Sequence, residues 1–256
     1  MNLLVLVKQT FDTEEKITLD GGAVSEDGVK FVINPYDEYA VEQALQIRDE
    51  LGGKVTVVSV GPERAAEALR TALAMGADEA ALIECDAAAA DEEAISRILA
   101  AYAKGQPAFD LILGGNFSVD NGAGQVAVRL ARLLGIPHVS SVTKLELGGS
   151  AAVAHRDAEG DVEIVEVPLP ALFTAQQGLN EPRYPSLQGI MKAKKKPFAR
   201  LTLDEIGLSA AELQPAVTRL ELSLPPERQA GKVLKGDMAA QAAELVRLLR
   251  DEAKVI

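Results

Sequence analysis

Short apolar runs alternate with amphipathic segments through the first 135 residues, and this alternation constrains the fold more than any other feature. The run Leu3–Val7 is apolar throughout, which is typical of a strand covered on both faces. Further strands are predicted in the mainly apolar runs Val55–Val60, Ala80–Ile83 and Phe109–Leu113, and a helical pattern that ends at a glycine follows each of the four. This β–α repetition predicts an α/β fold with an open, mainly parallel, twisted sheet and helices on both faces.

The segment Asn34-Pro35-Tyr36-Asp37-Glu38 has the features of a helix start. Asparagine is favoured at the N-cap, proline at the first helical position, and acidic residues in the first turn. Apolar side chains then recur at helical spacing, so the first helix is expected to run from Asn34 to the glycines at 52 and 53. Further helices are predicted at residues 61–76, 91–103 and 125–134.

The pattern changes after Pro137, where strands follow one another without intervening helices. Strands are predicted at Val139–Leu147, Ala151–His155 and Val162–Val167, and a further apolar strand at Leu169–Ala175. Because short glycine-containing turns join the first three, we expect an antiparallel extension at the edge of the parallel sheet.

The last part of the chain has few apolar residues that could form a core of its own. It offers a strand candidate at Ala216–Leu224 and a helix candidate at Met238–Leu249, with an extended polar segment at residues 225–231 between them. We therefore divide the chain into an α/β domain, residues 1–196, and a C-terminal arm, residues 197–256, that wraps around a partner.

Charge and cysteine content exclude several classes of function. The chain has 26 basic and 38 acidic residues, a net charge of −12, which argues against broad nucleic-acid binding. Its single cysteine, Cys85, permits neither an internal disulfide nor a zinc site built on several cysteines. The first apolar run is too short for a signal peptide or a membrane span. We expect a cytoplasmic protein in a reducing compartment, without membrane insertion.

A ligand of such a sheet is expected beyond the carboxyl ends of the strands, where the strand order reverses. If the first strand neighbours the fourth, three segments line this crevice: Leu6–Lys8, Asn34–Asp37 and Gly115–Gln125. The last segment contains three glycines and leads into a helix N-terminus, a combination that suits a phosphate. It matches neither GxGxxG nor a Walker loop, so an ordinary strand-to-helix connection remains an equal alternative.

Residues with reactive side chains are few. His138 and His155 have neither a nucleophile nor a carboxylate at motif spacing, and both are interpreted as structural or surface residues. Cys85 is interpreted as a small buried residue. Asp120 is better suited to orienting a ribose or the loop backbone than to acting as a general base. The pattern therefore favours a binding protein without catalytic residues and without a metal site.

Four segments of the chain together resemble one family. They are LVLVKQTFD at residues 4–12, INPYDEYAVEQAL at 33–45, RTALAMGAD at 70–78 and LNEPRYPSLQGIMKAKKKP at 179–197. At these residues, and over almost its whole length, the chain resembles the electron transfer flavoprotein beta-subunit family. The fourth segment is the most specific because its composition is unusual.

This resemblance implies a Rossmann-like, adenine-nucleotide-binding fold in a heterodimer with an alpha subunit that holds a redox-active FAD. The beta subunit then binds AMP without a redox role. Such complexes pass electrons from acyl-CoA and related dehydrogenases, as in fatty acid β-oxidation, to a membrane quinone reductase. The AMP contacts implied for this sequence are Leu6, Asn34, Pro35, Tyr36, Asp37, Val60, Gly115, Asn116, Phe117, Ser118, Val119, Asp120, Asn121, Gly122, Ala123, Gly124 and Gln125.

The resemblance also implies a partner-docking segment at Asn180–Lys192. This segment overlaps residues 176–188, which are predicted to form a long exposed loop, and extends a few residues beyond them. Its implied members are Asn180, Glu181, Pro182, Arg183, Tyr184, Leu187, Ile190, Met191 and Lys192. The family's anchoring leucine falls on Leu187, and the two prolines would lower the cost of ordering the loop on binding. Next to it lies a lysine cluster, Lys192, Lys194, Lys195 and Lys196, which either steers an acidic partner or is a solvated helix face.

Two departures from the family keep alternatives open. The loop after Asp120 is shorter than in mitochondrial-type members and closer to relatives that bifurcate electrons and place a second FAD in the same cleft. A tyrosine near the flavin in the mitochondrial type is Thr13 here, whereas the aromatic flavin-side position is retained as Tyr36. A free-standing nucleotide binder, such as a stress-protein-like sensor or a small adenylating enzyme, is the alternative of another class. The long C-terminal arm and the absence of a phosphate loop after the first strand argue against it.

Overall fold

The computed structural model describes residues 1–85, 90–226 and 230–256. Asp86, which follows Cys85, and Glu227, Arg228 and Gln229, part of the segment expected to be extended, lie outside the described residues. Within the described chain, the strands in order are β1 Asn2–Leu6, β2 Gln9–Phe11, β3 Leu19–Asp20, β4 Ala23–Val24, β5 Phe31–Ile33, β6 Lys54–Gly61, β7 Glu79–Glu84, β8 Leu111–Gly115, β9 His138–Gly148, β10 Ala151–Ala158, β11 Asp161–Pro168, β12 Ala171–Ala175 and β13 Phe198–Leu201. The helices are α1 Pro35–Leu51, α2 Ala66–Met75, α3 Glu92–Lys104, α4 Val126–Leu134, α5 Leu187–Ala193 and α6 Met238–Arg247.

Nine strands form one open sheet in the order β11-β10-β9-β12-β8-β1-β6-β7-β13. Strand β1 lies between β6 and β8 and pairs in parallel with both, with Leu3 opposite Val55 and Leu111. The mainly parallel sheet is thus confirmed. The first of the four predicted strands, β1, also neighbours the fourth, β8, so the strand order reverses at the position predicted for the crevice.

The antiparallel edge extension is confirmed as well. Strand β9 pairs in parallel with β12, and the chain then turns back twice, so that β10 pairs antiparallel with β9 and β11 antiparallel with β10. Gly148 is paired with Ala151 and Ala158 with Asp161 next to the two turns.

The uniform apolar character of β1 from Leu3 to Leu6 follows from the position of these residues between two helical layers. Leu3 and Val5 belong to the core that includes α1 and α2, whereas Leu4 and Leu6 belong to the core that includes α3 and α4. Because successive side chains of a strand point to opposite faces, a strand covered on both faces needs apolar residues at every position.

The body of the fold continues past the expected division at residue 196. Strand β13 pairs in parallel with β7, Phe198 opposite Ala80, and so forms one edge of the main sheet. Leu213 is the last buried residue of this region and joins the core on the α3 side. Residues 198–201 and Leu213 therefore belong to the body of the fold, although they lie in the range expected to form an arm, residues 197–256.

The strand predicted at Ala216–Leu224 is wrong: among the described residues, this segment pairs with no strand. A strand needs a neighbour for its backbone N–H and C=O groups, and here the segment is exposed, with Leu220 at 96%. The terminal helix prediction is confirmed by α6, which continues as a wider turn to Glu252.

The loop predicted at residues 176–188 ends earlier than expected, because α5 begins at Leu187. The side chain of Ser186 caps this helix by accepting a hydrogen bond from the main-chain nitrogen of Gly189, at 3.0 Å. A seven-residue helix is too short to show a helical period in the sequence. In the part of the chain that the structure describes, none of the helices is long and apolar enough to cross a membrane.

Candidate functional site

A crevice opens at the carboxyl ends of β1 and β8, where the strand order reverses. Most of the residues implied as AMP contacts are brought together on its walls: Leu6, Asn34, Asp37, Val60, Gly115, Asn116, Phe117, Ser118, Asn121, Ala123, Gly124 and Gln125. Pro35, Tyr36, Val119, Asp120 and Gly122 lie beside these residues rather than on the crevice walls. The three segments expected from the sequence therefore converge.

Asp37 joins the three walls of the crevice. Its buried carboxylate accepts hydrogen bonds from the main-chain nitrogen of Lys8 after β1 (2.6 Å), from that of Gly115 at the end of β8 (3.1 Å) and from Asn34 Nδ2 (3.0 Å). Burial raises the pKa of Asp37 to about 7, and the three N–H donors act in the opposite direction. This side chain sets the spacing of the walls.

Asn34 occupies the N-cap position of α1, as predicted, but its side chain has another role. Within the described structure it makes no capping hydrogen bond. Instead, Nδ2 donates to the carbonyl oxygen of Phe117 at 2.9 Å, and Oδ1 accepts from the main-chain nitrogen of Val119 at 3.1 Å. The expected cap is therefore corrected: Asn34 holds the loop after β8 against the start of α1.

Two glycines of this loop are needed for different reasons. A Cβ atom at Gly115 would collide with the Asp37 carboxylate and would lie 2.8 Å from Tyr36 Cβ, so only glycine allows α1 to approach the end of β8. Gly124 has a φ of +62°, a left-handed conformation that other residues rarely adopt, two residues before α4 begins. The first-turn N–H groups of an α-helix have no intrahelical partner, and Val126 and Ala127 at the start of α4 line the crevice.

Polar contacts tie the outer part of the loop to the first strand. Lys8 Nζ lies 2.7 Å from the Asp120 carboxylate and 3.3 Å from Ser118 Oγ. Burial acts to raise the pKa of Asp120, but Lys8, Ser118 and the main-chain nitrogen of Asn121 together hold the pKa below the ordinary value. Asp120 thus fixes the loop, as favoured from the sequence. Tyr36 packs against Phe117 with ring centroids 4.2 Å apart, which closes the wall next to Asn34.

The start of α3 supplies a wall of the crevice that was not predicted from the sequence. Asp91, Glu92, Ile95 and Leu99 line it. Two acids at the start of a helix after a strand could have indicated this, because the carboxyl end of β7 lies at the same edge as those of β1 and β8. The crevice therefore has an apolar side, formed by Leu6, Val60, Ile95 and Leu99, and a polar side formed by the loop after β8.

The docking segment is fastened to α1 by a second set of contacts. Arg183 donates to the carboxylate of Glu42 through Nε (2.8 Å), Nη2 (3.0 Å) and its main-chain nitrogen (3.1 Å), and through Nη1 to Asp49 (3.1 Å). Asn180 Nδ2 donates to the main-chain oxygen of Tyr39 at 3.0 Å. Glu42 is only 3% exposed. Two of the implied docking residues, Asn180 and Arg183, therefore hold the segment in place.

Beyond Arg183 the docking segment presents apolar side chains to solvent. Leu187 is 79% exposed, and Tyr184, Ile190 and Met191 are exposed with it. Of the lysine cluster, Lys192, Lys194 and Lys195 are exposed, whereas Lys196 is half-buried. Its Nζ donates to the main-chain oxygens of Leu73 and Ala77 at the end of α2. Burial lowers the pKa of Lys196. The exposed part of the cluster is thus smaller than the sequence indicated.

Comparison with known proteins agrees with this architecture. The family model described as Electron transfer flavoprotein domain matches residues 21–206. An electron transfer flavoprotein subunit beta from Bacillus subtilis (strain 168) is 57% identical over 258 residues and covers 100% of both chains. The chain belongs to the electron transfer flavoprotein beta-subunit family. The resemblance seen in the sequence is thereby confirmed, and this beta subunit serves electron transfer in a flavin-dependent system as a carrier subunit rather than as an enzyme.

Further relatives of the beta subunit show the same full-length similarity. An electron transfer flavoprotein subunit beta from Syntrophomonas wolfei subsp. wolfei is 43% identical, covering 100% of this chain and 98% of its own. The subunit CarD of a caffeyl-CoA reductase-Etf complex from Acetobacterium woodii is 39% identical, covering 98% and 99%. Members of this family thus include a subunit of a reductase complex.

Proposed function

We propose that this beta subunit binds AMP in the crevice between β1 and β8 and pairs with an alpha subunit that carries FAD. The observation that supports this most is the junction at Asp37, which holds β1, β8 and the start of α1 at a fixed spacing around the crevice. A binding protein needs such a preorganised cleft, and the described residues around it offer neither a triad nor a metal-ligand group.

The residues on the crevice walls fit AMP. The apolar side of the crevice suits a purine, and the loop from Gly115 to Gln125 leads a phosphate to the N-terminus of α4. Lys8 is already paired with Asp120, so the backbone N–H groups rather than a free lysine would hold the phosphate. Asp91 and Glu92 on the facing wall would repel a longer phosphate chain, which supports a monophosphate.

The alternative ligand is a second FAD, as in bifurcating relatives. Its support is the short loop after Asp120 and the 39% identity to a subunit of a caffeyl-CoA reductase-Etf complex. AMP carries one phosphate, whereas FAD carries two phosphates and a flavin. Identifying the molecule extracted from the crevice therefore distinguishes the two directly.

In the proposed complex, the alpha subunit holds most of the FAD, which supplies the redox chemistry. This chain contributes the crevice, the docking segment and the arm. Electrons would arrive from acyl-CoA-type dehydrogenases in the cytoplasm and leave to a membrane quinone reductase. The exposed Leu187, Tyr184 and Met191, with Lys192 and Lys195 nearby, fit an apolar pocket with an acidic rim on a dehydrogenase.

Co-expression of this chain with its cognate alpha subunit tests the proposal. We expect a yellow heterodimer whose flavin is reduced by an acyl-CoA dehydrogenase with its substrate, at a rate that falls with added salt. A chain that stays colourless and alone, while retaining a nucleotide, would favour the free-standing nucleotide binder instead.

A further inference from the structure

Asp91 has contacts that neither the crevice nor the helix start requires. Its carboxylate Oδ1 caps α3 by accepting a hydrogen bond from the main-chain nitrogen of Ala94 at 2.9 Å. The other oxygen, Oδ2, accepts hydrogen bonds from two consecutive main-chain nitrogens far along the chain, those of Ala216 (2.7 Å) and Val217 (3.1 Å). One carboxylate therefore connects the wall of the crevice to the C-terminal part of the chain.

The position of these two nitrogens is where the arm leaves the body. Leu213, shortly before them, is the last buried residue, and from Val217 onward none of the described apolar side chains is buried; Leu220 is the most exposed of them. Burial acts to raise the pKa of Asp91, but the N–H donors outweigh it and hold the pKa below its ordinary value, so the tether is charged at neutral pH.

We propose that Asp91 is a positioning residue for assembly, which fixes the direction in which the arm leaves the body and thereby prepares it to bind the alpha subunit. This inference rests on the proposed heterodimer. A flexible arm loses conformational freedom when it binds, and that loss weakens binding. A tether at the root removes part of this freedom before the partner arrives. Because Asp91 lies on the crevice wall, the same contact places the root of the arm next to the nucleotide.

Two substitutions at Asp91 separate the tether from the helix cap. Threonine keeps a side-chain cap, although a weaker one than aspartate, but its single oxygen cannot also accept the hydrogen bonds from residues 216 and 217. Alanine removes both. Glu93→Gln is the matched control, because it removes a charge from the same turn, where Glu93 pairs with Arg97 and Arg129 and not with the arm. The dissociation constant for the cognate alpha subunit is measured for each full-length variant, together with amide exchange over residues 216–224.

We expect Asp91→Thr and Asp91→Ala to raise the dissociation constant at least about tenfold, since hydrogen bonds to a charged acceptor are among the stronger ones. Amide exchange over 216–224 in the unbound chain should accelerate in both, while the thermal midpoint of Asp91→Thr should fall less than that of Asp91→Ala, which also loses the cap. Glu93→Gln should bind as the wild type does. If Asp91→Thr binds normally and only Asp91→Ala is impaired, the cap alone matters and the inference is overturned.

A substitution in the arm distinguishes this failure from failure of the proposed function. Leu220 is almost fully exposed, so Leu220→Asp should leave folding unchanged and weaken binding of the alpha subunit. Unchanged affinity of both Leu220→Asp and Asp91→Thr would show that the arm does not bind the partner. Weak binding of Leu220→Asp with normal binding of Asp91→Thr would overturn only the tether.

Discussion

The contact between Arg183 and Glu42 allows a quantitative prediction for the docking segment. The Arg183→Met substitution keeps the aliphatic stem of the side chain but removes the three guanidinium hydrogen bonds to Glu42 and Asp49. Breaking a buried ion pair by removing one partner costs about 3–5 kcal/mol, because a buried charge is left without compensation. Glu42 is enclosed, but the Arg183 side chain is 38% exposed, so water can replace part of the lost contact. We therefore expect a loss of about 2–3 kcal/mol in the free energy of unfolding.

Thermal and urea unfolding measure this loss, which corresponds to a fall of roughly 4–12 °C in the midpoint for a chain of this size. The matched control is Arg200→Met, since Arg200 also bridges two carboxylates, Glu63 at 3.0 Å and Glu84 at 3.3 Å, but both are exposed. The control should unfold like the wild type. Amide exchange over residues 180–186 should accelerate in the Arg183 variant only. Equal midpoints for the two variants would refute the view that Glu42 holds the docking segment.

Three further predictions concern the crevice and the docking surface. Asn34→Ala removes the two hydrogen bonds to Phe117 and Val119. We expect nucleotide binding measured by equilibrium dialysis to weaken roughly tenfold, which corresponds to about 1.4 kcal/mol. Full retention of the nucleotide would exclude this loop from the site. Leu187→Ala should leave the melting midpoint unchanged and slow electron transfer from a dehydrogenase about ten- to a hundredfold; lower stability with normal kinetics would contradict the docking role. Because the pKa of Asp37 is raised to about 7 in the folded state, Asp37 stabilises the fold most below about pH 4. This contribution to the free energy of unfolding is lost as the pH rises to 7. The urea stability of the wild type relative to Asp37→Asn should therefore fall between pH 5 and pH 8, and a constant difference would argue against this titration.

The sheet and the crevice could be predicted because both depend on patterns that burial imposes on the sequence. A strand such as β1, covered on both faces, must be apolar throughout, and the order of strands and helices then places the ends of β1 and β8 side by side. The segments around Asn34 and Gly115 themselves contain the residues that favour a helix start and a glycine-rich loop. The positions of these two segments were therefore predictable as well.

The features that the sequence did not predict depend on contacts between distant segments. Asn34 has the local features of a cap, yet its side chain bonds to a loop more than eighty residues away. Strand β13 is short and becomes a strand only because β7 offers an open edge. The segment 216–224 has a strand pattern, but within the described residues it has no neighbouring strand. Local propensity decides none of these cases, because the partner supplies most of the stabilisation.

The nucleotide content of the purified heterodimer tests the central proposal most directly. Acid extraction followed by chromatography should release AMP and FAD, each in near-equal amount to the heterodimer. The same preparation carrying Gly124→Val, which places a β-branched residue at a φ of +62° beside the crevice, should lose AMP and keep FAD. Release of FAD in excess of the heterodimer, without AMP, would contradict the assignment and identify the crevice as the site of a second flavin.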